Sequence, residues 1–260
     1  MDKYSVDKTI KYIINSRKNF TKLDIIDYMP KSEKEAYQIQ TGVHVQLNNL
    51  NDPIVGKKIG CTTKVMQNYL KINHPCAGTI RKSNCYNSGE HLDYNNFHKV
   101  GVECELAIRL KENIYYSEQP DRTKLCLGIK DVIAAIEIVD DRYVDWKNLT
   151  ANYLIADDFF SAGCVLGDVV SFDKVNDIGK LSGKMYINGI EVGKGKGNDI
   201  LGDPILALSW LATRKDIIGN YIPKDSIILL GSLVETQWLK CNDEVKICIE
   251  SIGNANVSFL

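Results

Sequence analysis

Several things are missing from this 260-residue sequence, and each absence narrows what the protein does. The first stretch, MDKYSVDKTIKYIINSRKNF, has no apolar run of the leader type and no small-residue cleavage site. No segment approaches the apolar length of a membrane span. The expectation is a cytoplasmic protein with no membrane partner. Lys plus Arg (32) nearly balances Asp plus Glu (33), the net charge is -1, and no long basic run occurs, so nothing in the overall field favours nucleic acid. The eight cysteines form no C-x-x-C pair, which argues against a thiolate zinc site, and the four histidines show no paired metal spacing. Cys104, Cys164 and Cys248 sit inside apolar runs and read as reduced, buried small hydrophobes. Internal repeats and low-complexity linkers are also absent.

What is present is ordinary for a globular chain: 44% apolar and 25% charged residues, enough to bury a core. Apolar residues at helical spacing over 2–28 and 31–50 predict two helical segments, the second opened by the capping-box pair Ser32 and Glu35. Residues 48–53 read as a loop. Residues 54–60 predict a short strand, 62–70 a helix, and the Asn-, Gly-, Ser- and His-rich stretch 74–98 a long loop. Strands are expected over 100–110 and 132–140, and near 164–170, 184–192, 226–231, 233–239, 244–250 and 255–259. A helix over 204–218 would be capped by Asp203, with Pro204 in its first turn. The pattern is α+β: a β-rich core behind a helical N-terminal region, taken as one catalytic domain over 1–260, with a helical cap over 1–50 and the core over 51–260.

Three places could carry chemistry. In Val100-Gly101-Val102-Glu103-Cys104-Glu105-Leu106-Ala107-Ile108, strand alternation puts Val100, Val102, Cys104, Leu106 and Ile108 on one face and Glu103 with Glu105 on the other. Two carboxylates that close repel unless a cation lies between them; the plainer reading is a solvated face with Arg109 as partner. In Val132–Arg142, Glu137 interrupts an apolar strand, where an ionised carboxylate is costly unless paired, with Arg142 for example, or bound to a metal. Together Glu103, Glu105 and Glu137 would make an all-oxygen set suited to Mg²⁺ or Mn²⁺. Third, Lys57 and Lys58 end a strand at a glycine turn, where either faces a site or plain solvent. The run Gly193-Lys194-Gly195-Lys196-Gly197 lacks P-loop spacing and reads as a flexible hairpin, and Tyr86–His98 as a solvated loop.

Taken in order, Gly56–Thr62 with Gln67, Val102–Ala107, Glu137–Arg142, Ile155–Asp157, Val165–Gly167, Asn188-Gly189, Gly202–Pro204 with Trp210–Ala212, and Leu230–Ser232 resemble the 2-keto-4-pentenoate hydratase and 4-oxalocrotonate decarboxylase family, within the fumarylacetoacetate hydrolase superfamily. The resemblance spans nearly the whole chain. It implies a β-rich roll with a helical N-terminal region, Glu103, Glu105 and Glu137 holding Mg²⁺ or Mn²⁺, and Lys58 facing a small 2-oxo acid. A Lys58 pKa lowered near the metal would let this lysine shuttle protons. Arg142, Ser161 and Cys76 are the candidate substrate-binding residues. The resemblance further implies a homo-oligomer, association with a second enzyme of the same pathway, and three alternative roles: decarboxylase of 2-oxo-enedioates, C–C hydrolase or oxaloacetate decarboxylase, and weakly catalytic partner subunit.

The sequence departs from that family in two places. The family's Pro-Asp-aromatic-Gly pattern is here Pro75-Cys76-Ala77-Gly78, which removes an acid expected to carry protons in water addition. Its Ala-Asp pair is usually followed by Asn and small residues, but Asp157 is followed by Asp158-Phe159-Phe160 before Ser161.

Overall fold

The computed structural model describes residues 3–47 and 52–260. Two helices, α1 (Lys3–Lys18) and α2 (Glu33–Leu47), pack on each other through Ile10, Ile13, Ile14, Ile39 and Val43, all buried. Ser32 Oγ accepts from Glu35 N at 3.3 Å, and the Glu35 carboxylate accepts from Lys31 N at 2.8 Å, one residue before the donor expected for a capping box. Between the helices, residues 19–32 form no helix, so the first expected helical segment stops ten residues early. The expected loop at 48–53 lies mostly outside the described residues.

Strands make up most of the rest. They are β1 (Ile54–Gly60), β2 (Cys76–Arg81), β3 (Cys85–Asn87), β4 (His91–Leu92), β5 (Val100–Leu110), β6 (Ile114–Tyr115), β7 (Ile129–Asp140), β8 (Ser161–Ser171), β9 (Ser182–Ile187), β10 (Ile190–Lys196), β11 (Tyr221–Ile222), β12 (Ile227–Trp238), β13 (Asp243–Ile249) and β14 (Gly253–Phe259). Short helices α3 (Lys64–Leu70), α4 (Arg122–Leu127), α5 (Ala151–Ala156), α6 (Pro204–Ala212) and α7 (Lys215–Ile218) connect them. The larger sheet has seven strands in the order β2-β1-β12-β5-β7-β8-β3. Its two edge strands, β2 and β3, are separated by only residues 82–84 along the chain. A three-residue link cannot cross a flat sheet of that width, so the sheet must curl until its edges meet. The fold is therefore an α+β, β-rich roll with a helical N-terminal region.

The alternation read in Val100–Ile108 holds. Val100, Val102, Cys104, Leu106 and Ile108 are all buried in the main core, which extends over the second sheet, β10-β9-β13-β14-β4, and helices α1, α2, α5 and α6. The opposite face of β5, inside the curl, continues past Glu103 and Glu105 to Ala107, where a separate small cluster forms with Ile80, Ile133, Ala135, Ile227 and Leu229. Among the described residues, no helix is long and apolar enough to cross a membrane.

Four expectations need correction. Residues 74–98 are not a long loop, for they hold β2, β3 and β4, and every residue of β2 is buried. Its small and polar residues suit a crowded interior: a Cβ on Gly78 would stand 2.7 Å from Asp158 O and 3.0 Å from Lys58 Cε. The stretch 184–192 is two strands, turning at Asn188-Gly189, and the glycine–lysine run lies mostly in the second, β10. The strands expected at 226–231 and 233–239 are one, β12, bulged where Gly231 takes a φ of 143°. The helix expected over 204–218 is capped by Asp203, whose carboxylate accepts from Ile205 N at 2.9 Å, but it breaks at residues 213–214 into α6 and α7.

Candidate metal and active site

Strands β5 and β7 run antiparallel with Glu103 opposite Glu137 and Glu105 opposite Ala135, so all three carboxylates share the inner face of the roll. One oxygen from each lies within 4.8 Å of the others. Glu105 and Glu137 are each 1% exposed, which rules out a solvated strand face. Arg109 does not serve them; it pairs with Asp131 at 3.8 Å. The carboxylates are aimed by fixed donors. Gly231 N, freed by the β12 bulge, donates to Glu105 Oε2 at 2.8 Å, and Thr236 Oγ1 donates to Glu103 Oε1.

Lys58 enters from β1, with its Nζ 2.9 Å from Glu137 Oε1. Arg142 is thus not the partner of Glu137: its Nε lies 2.5 Å from Asp157 Oδ2, and its Nη2 donates to the carbonyls of Asp157 and Ser161, each at 2.9 Å. Lys57 points to the other face of β1, where it donates to Thr79 Oγ1 at 2.9 Å.

Three carboxylates facing one ammonium leave two negative charges unmatched if all are ionised. The chain responds by holding protons. Burial, then the charges of Glu137 and Glu103, push the Glu105 carboxyl well above its ordinary range. Burial also raises Glu137 to about 7, against the pull of Lys58. Burial disfavours the Lys58 ammonium, but Glu137 and Glu103 outweigh it and hold the lysine above its ordinary value. A lowered Lys58 pKa is expected only near a bound metal; in the protein alone the facing carboxylates hold the ammonium.

The residues fit a hard divalent cation. All three donors are carboxylate oxygens, close together and short of positive charge.

The family model for the fumarylacetoacetate (FAA) hydrolase C-terminal region matches residues 63–259. The chain belongs to that family. A 2-keto-4-pentenoate hydratase of Paraburkholderia xenovorans (strain LB400) is 28% identical over 225 residues, which cover 86% of this chain and 83% of that one. A 2-hydroxyhexa-2,4-dienoate hydratase of Comamonas testosteroni is 27% identical over 236 residues, covering 85% and 86%. The fold matches that of 4-oxalocrotonate decarboxylase from Pseudomonas putida G7, solved with magnesium and adipate, with a TM-score of 0.94 at 21% identity over 100% of this chain and 99% of that one.

In this FAA hydrolase family member, the two departures seen in the sequence lie beside Lys58. Cys76 is opposite Gly60 on the Lys58 face of β2 and is fully buried. A hydrogen bond with Cys61, then burial, push its thiol well above the usual range, so it stays protonated. Asp158, Phe159 and Phe160 are three consecutive residues in the left-handed region, at φ of 62°, 49° and 65°. That conformation costs roughly 1–2 kcal/mol per residue and persists only where the surroundings enforce it. Here the buried Asp158 carboxylate enforces it: its Oδ2 is 2.6 Å from His44 Nε2 and 3.2 Å from Arg17 Nη2, and its Oδ1 accepts from Thr79 N at 3.2 Å. The turn aims Phe159 O at Lys58 Nζ, 2.7 Å away, and sets the Phe159 ring 5.2 Å from the same nitrogen. Ser161 follows at the start of β8, partly exposed, with its carbonyl fixed by Arg142.

Sequence reasoning missed Phe159 O, Gly231 N, Thr236, His44 and Arg17. The first two act through the backbone, which side-chain identity does not report. The others meet the site only through tertiary packing across 114 to 141 residues of chain.

Proposed function

We propose that this chain is a divalent-metal-dependent lyase acting on a small 2-oxo or 2-hydroxydienoic acid, with water addition of the 2-keto-4-pentenoate hydratase kind as its reaction. One observation carries the reading: the buried cluster of Glu103, Glu105 and Glu137, three carboxylates against the single ammonium of Lys58. The hydratase names of the relatives support the choice of reaction.

Glu103, Glu105 and Glu137 would hold Mg²⁺ or Mn²⁺. When bound, the ion supplies Lewis-acid stabilisation of negative charge developing on a chelated 2-oxo acid. Lys58 acts as the proton-carrying catalytic residue. Two acceptors, Phe159 O and Glu137 Oε1, fix its ammonium, which leaves one of its three donor directions for a substrate atom. The Phe159 ring covers this nitrogen and keeps water from it. Ser161 and Cys76 are the remaining substrate-facing residues, and Arg142 serves the substrate through the Ser161 backbone it holds. The same reading takes the chain as one catalytic domain, working in the cytoplasm as a homo-oligomer and able to associate with a second enzyme of its pathway, as its resemblance to the hydratases and decarboxylases implies.

A second reading, decarboxylation of a 2-oxo-enedioate, is favoured by Cys76. A thiol held protonated is a poor proton carrier for water addition, and loss of CO₂ does not require that carrier. A metal-dependent ultraviolet assay with 2-hydroxypenta-2,4-dienoate and 2-oxohex-3-enedioate, with products identified by NMR, separates the two. A 4-hydroxy-2-oxo product from the dienoate supports the hydratase, and CO₂ from the enedioate supports the decarboxylase. Inactivity on both, with Mg²⁺ binding intact, sinks both and leaves another 2-oxo acid or a partner-subunit role.

A further inference from the structure

The eight cysteines differ in burial and in their neighbours. Cys85 of β3 and Cys164 of β8 are register partners on adjacent parallel strands, and the Cys164 thiol donates to Cys85 Sγ at 3.8 Å. Neighbouring strands lie about 4.8 Å apart. That separation is inside the Cα–Cα range of roughly 4.4–6.8 Å that a disulfide spans, so closure needs side-chain rotation and little backbone movement. The two thiols differ in access. Cys164 is fully buried, whereas Cys85 is partly exposed and lines a surface cleft of about 390 Å³ beside Lys82, Arg109 and Leu166. An accessible thiol with a second thiol behind it is the arrangement of a peroxide-reactive cysteine and its resolving partner.

We propose that Cys85 and Cys164 are a peroxide-reactive dithiol that closes to a reversible disulfide. The Cys85 thiolate attacks one oxygen of hydrogen peroxide, the O–O bond breaks, and a sulfenic acid forms as the other oxygen leaves as water. The Cys164 sulfur then attacks the sulfenic sulfur, forming the S–S bond and releasing a second water. In sum, two thiols lose two electrons and two protons, and one peroxide is reduced to two waters. The roles follow the local chemistry. The hydrogen bond from Cys164 draws the Cys85 thiol below its ordinary value against the effect of burial, and Arg109 adds to it. Cys164 also stands opposite Glu137 on β7, so the disulfide would tie edge strand β3 to the strand that walls the carboxylate cluster. The proposal holds whichever reaction the site catalyses.

The test uses the full folded chain and hydrogen peroxide, followed by blocking of residual thiols with N-ethylmaleimide, digestion, and peptide mass mapping without reductant. The expected result is a linked peptide pair joining positions 85 and 164, lighter by two hydrogens, with loss of maleimide label at both and its return after dithiothreitol. In a Cys164→Ser variant the Cys85 sulfenic acid should persist and be trapped by dimedone, while the unaltered chain shows little trapping there. Absence of the 85–164 link under conditions that oxidise the exposed Cys241 would overturn the proposal, as would equal dimedone trapping at Cys85 with and without Cys164. If Cys164→Ser does not fold, the map of the unaltered chain decides alone.

Discussion

Two clusters of buried charge lie within a few residues of each other and are built on opposite rules. In one, Asp157 and Asp158 face Arg17, Arg142 and His44, and the pairing is dense: Arg17 Nη2 is 2.7 Å from Asp157 Oδ1, Arg142 Nε is 2.5 Å from Asp157 Oδ2, and His44 Nε2 is 2.6 Å from Asp158 Oδ2. In the other, Glu103, Glu105 and Glu137 face Lys58 as their one cation among the described residues, so two of the three negative charges go unmatched when all are ionised. Burial pushes the Asp158, Glu105 and Glu137 carboxyls toward their neutral forms, yet the outcomes are opposite. Asp158 is held well below its usual range, with His44 the leading opposing influence, while Glu105 and Glu137 are held above theirs. Matched charge describes a scaffold, and unmatched charge of one sign describes a place kept for a cation. The clusters join at the turn 158–160, where the matched side fixes the carbonyl that positions Lys58.

The comparison breaks hardest on the matched side. Arg142→Ala leaves the fully buried Asp157 with Arg17 as its only remaining ion-pair partner among the described residues, so unfolding stability in urea should fall by about 3–5 kcal/mol. A loss below about 1 kcal/mol would mean that Arg17 alone neutralises Asp157, and the two clusters would differ less than their geometry implies. The unmatched side should show itself in pH. Glu137 has a folded value raised to about 7 from the ordinary 4.5, so its contribution to stability is full below about 4.5 and is lost as pH rises through about 7. The metal-free protein should lose about 3 kcal/mol from this group between those limits. Urea titrations across pH 4.5–7 in EDTA check it, and stability that rises over that window would contradict the assigned environment.

How much of this was legible beforehand follows from the kind of signal each feature leaves. The alternation in Val100–Ile108 and the charge breaking the apolar run of β7 mark Glu103, Glu105 and Glu137 because a side-chain period of two is written directly in the sequence. Strand β2 was illegible because its Ala77, Gly78, Thr79 and Arg81 are chosen by close approach of Lys58, Asp158 and Asp52, none of which is a sequence neighbour. The left-handed turn was equally hidden. Asp158-Phe159-Phe160 has no glycine to signal positive φ, and its conformation is imposed by His44 and Arg17 from two helices more than 110 residues upstream. The join between α6 and α7 left no Gly or Pro, so Thr213 and Arg214 read as continuous helix.

Neutralising one member of the unmatched cluster should act on cation binding first. In thermal unfolding with Mg²⁺ or Mn²⁺ at about 100 times its dissociation constant, a bound ion stabilises by about 2.7 kcal/mol. Glu137→Gln should abolish that shift while leaving the metal-free protein no less stable at pH 8, because the substitution also removes a buried like charge. A shift of unchanged size would remove Glu137 from the ligand set and with it the cation reading of the cluster.

The smallest change sharpens the comparison at its border. Cys76→Asp restores a carboxyl beside Lys58, on the face that otherwise offers only a protonated thiol. The added group is buried and near an ammonium, so these two influences oppose each other and leave it able to exchange a proton near neutrality. A general acid–base group can contribute about 10²- to 10⁴-fold. The turn at Phe159 already crowds Lys58, which holds the expected gain to about tenfold in water addition to the dienoate relative to decarboxylation of the enedioate, or about 1.4 kcal/mol. Relative rates on the two substrates, measured with saturating metal, give the answer. If turnover and preference both stay put, Cys76 is not what separates this chain from the hydratases, and the remaining difference lies in Asp158-Phe159-Phe160.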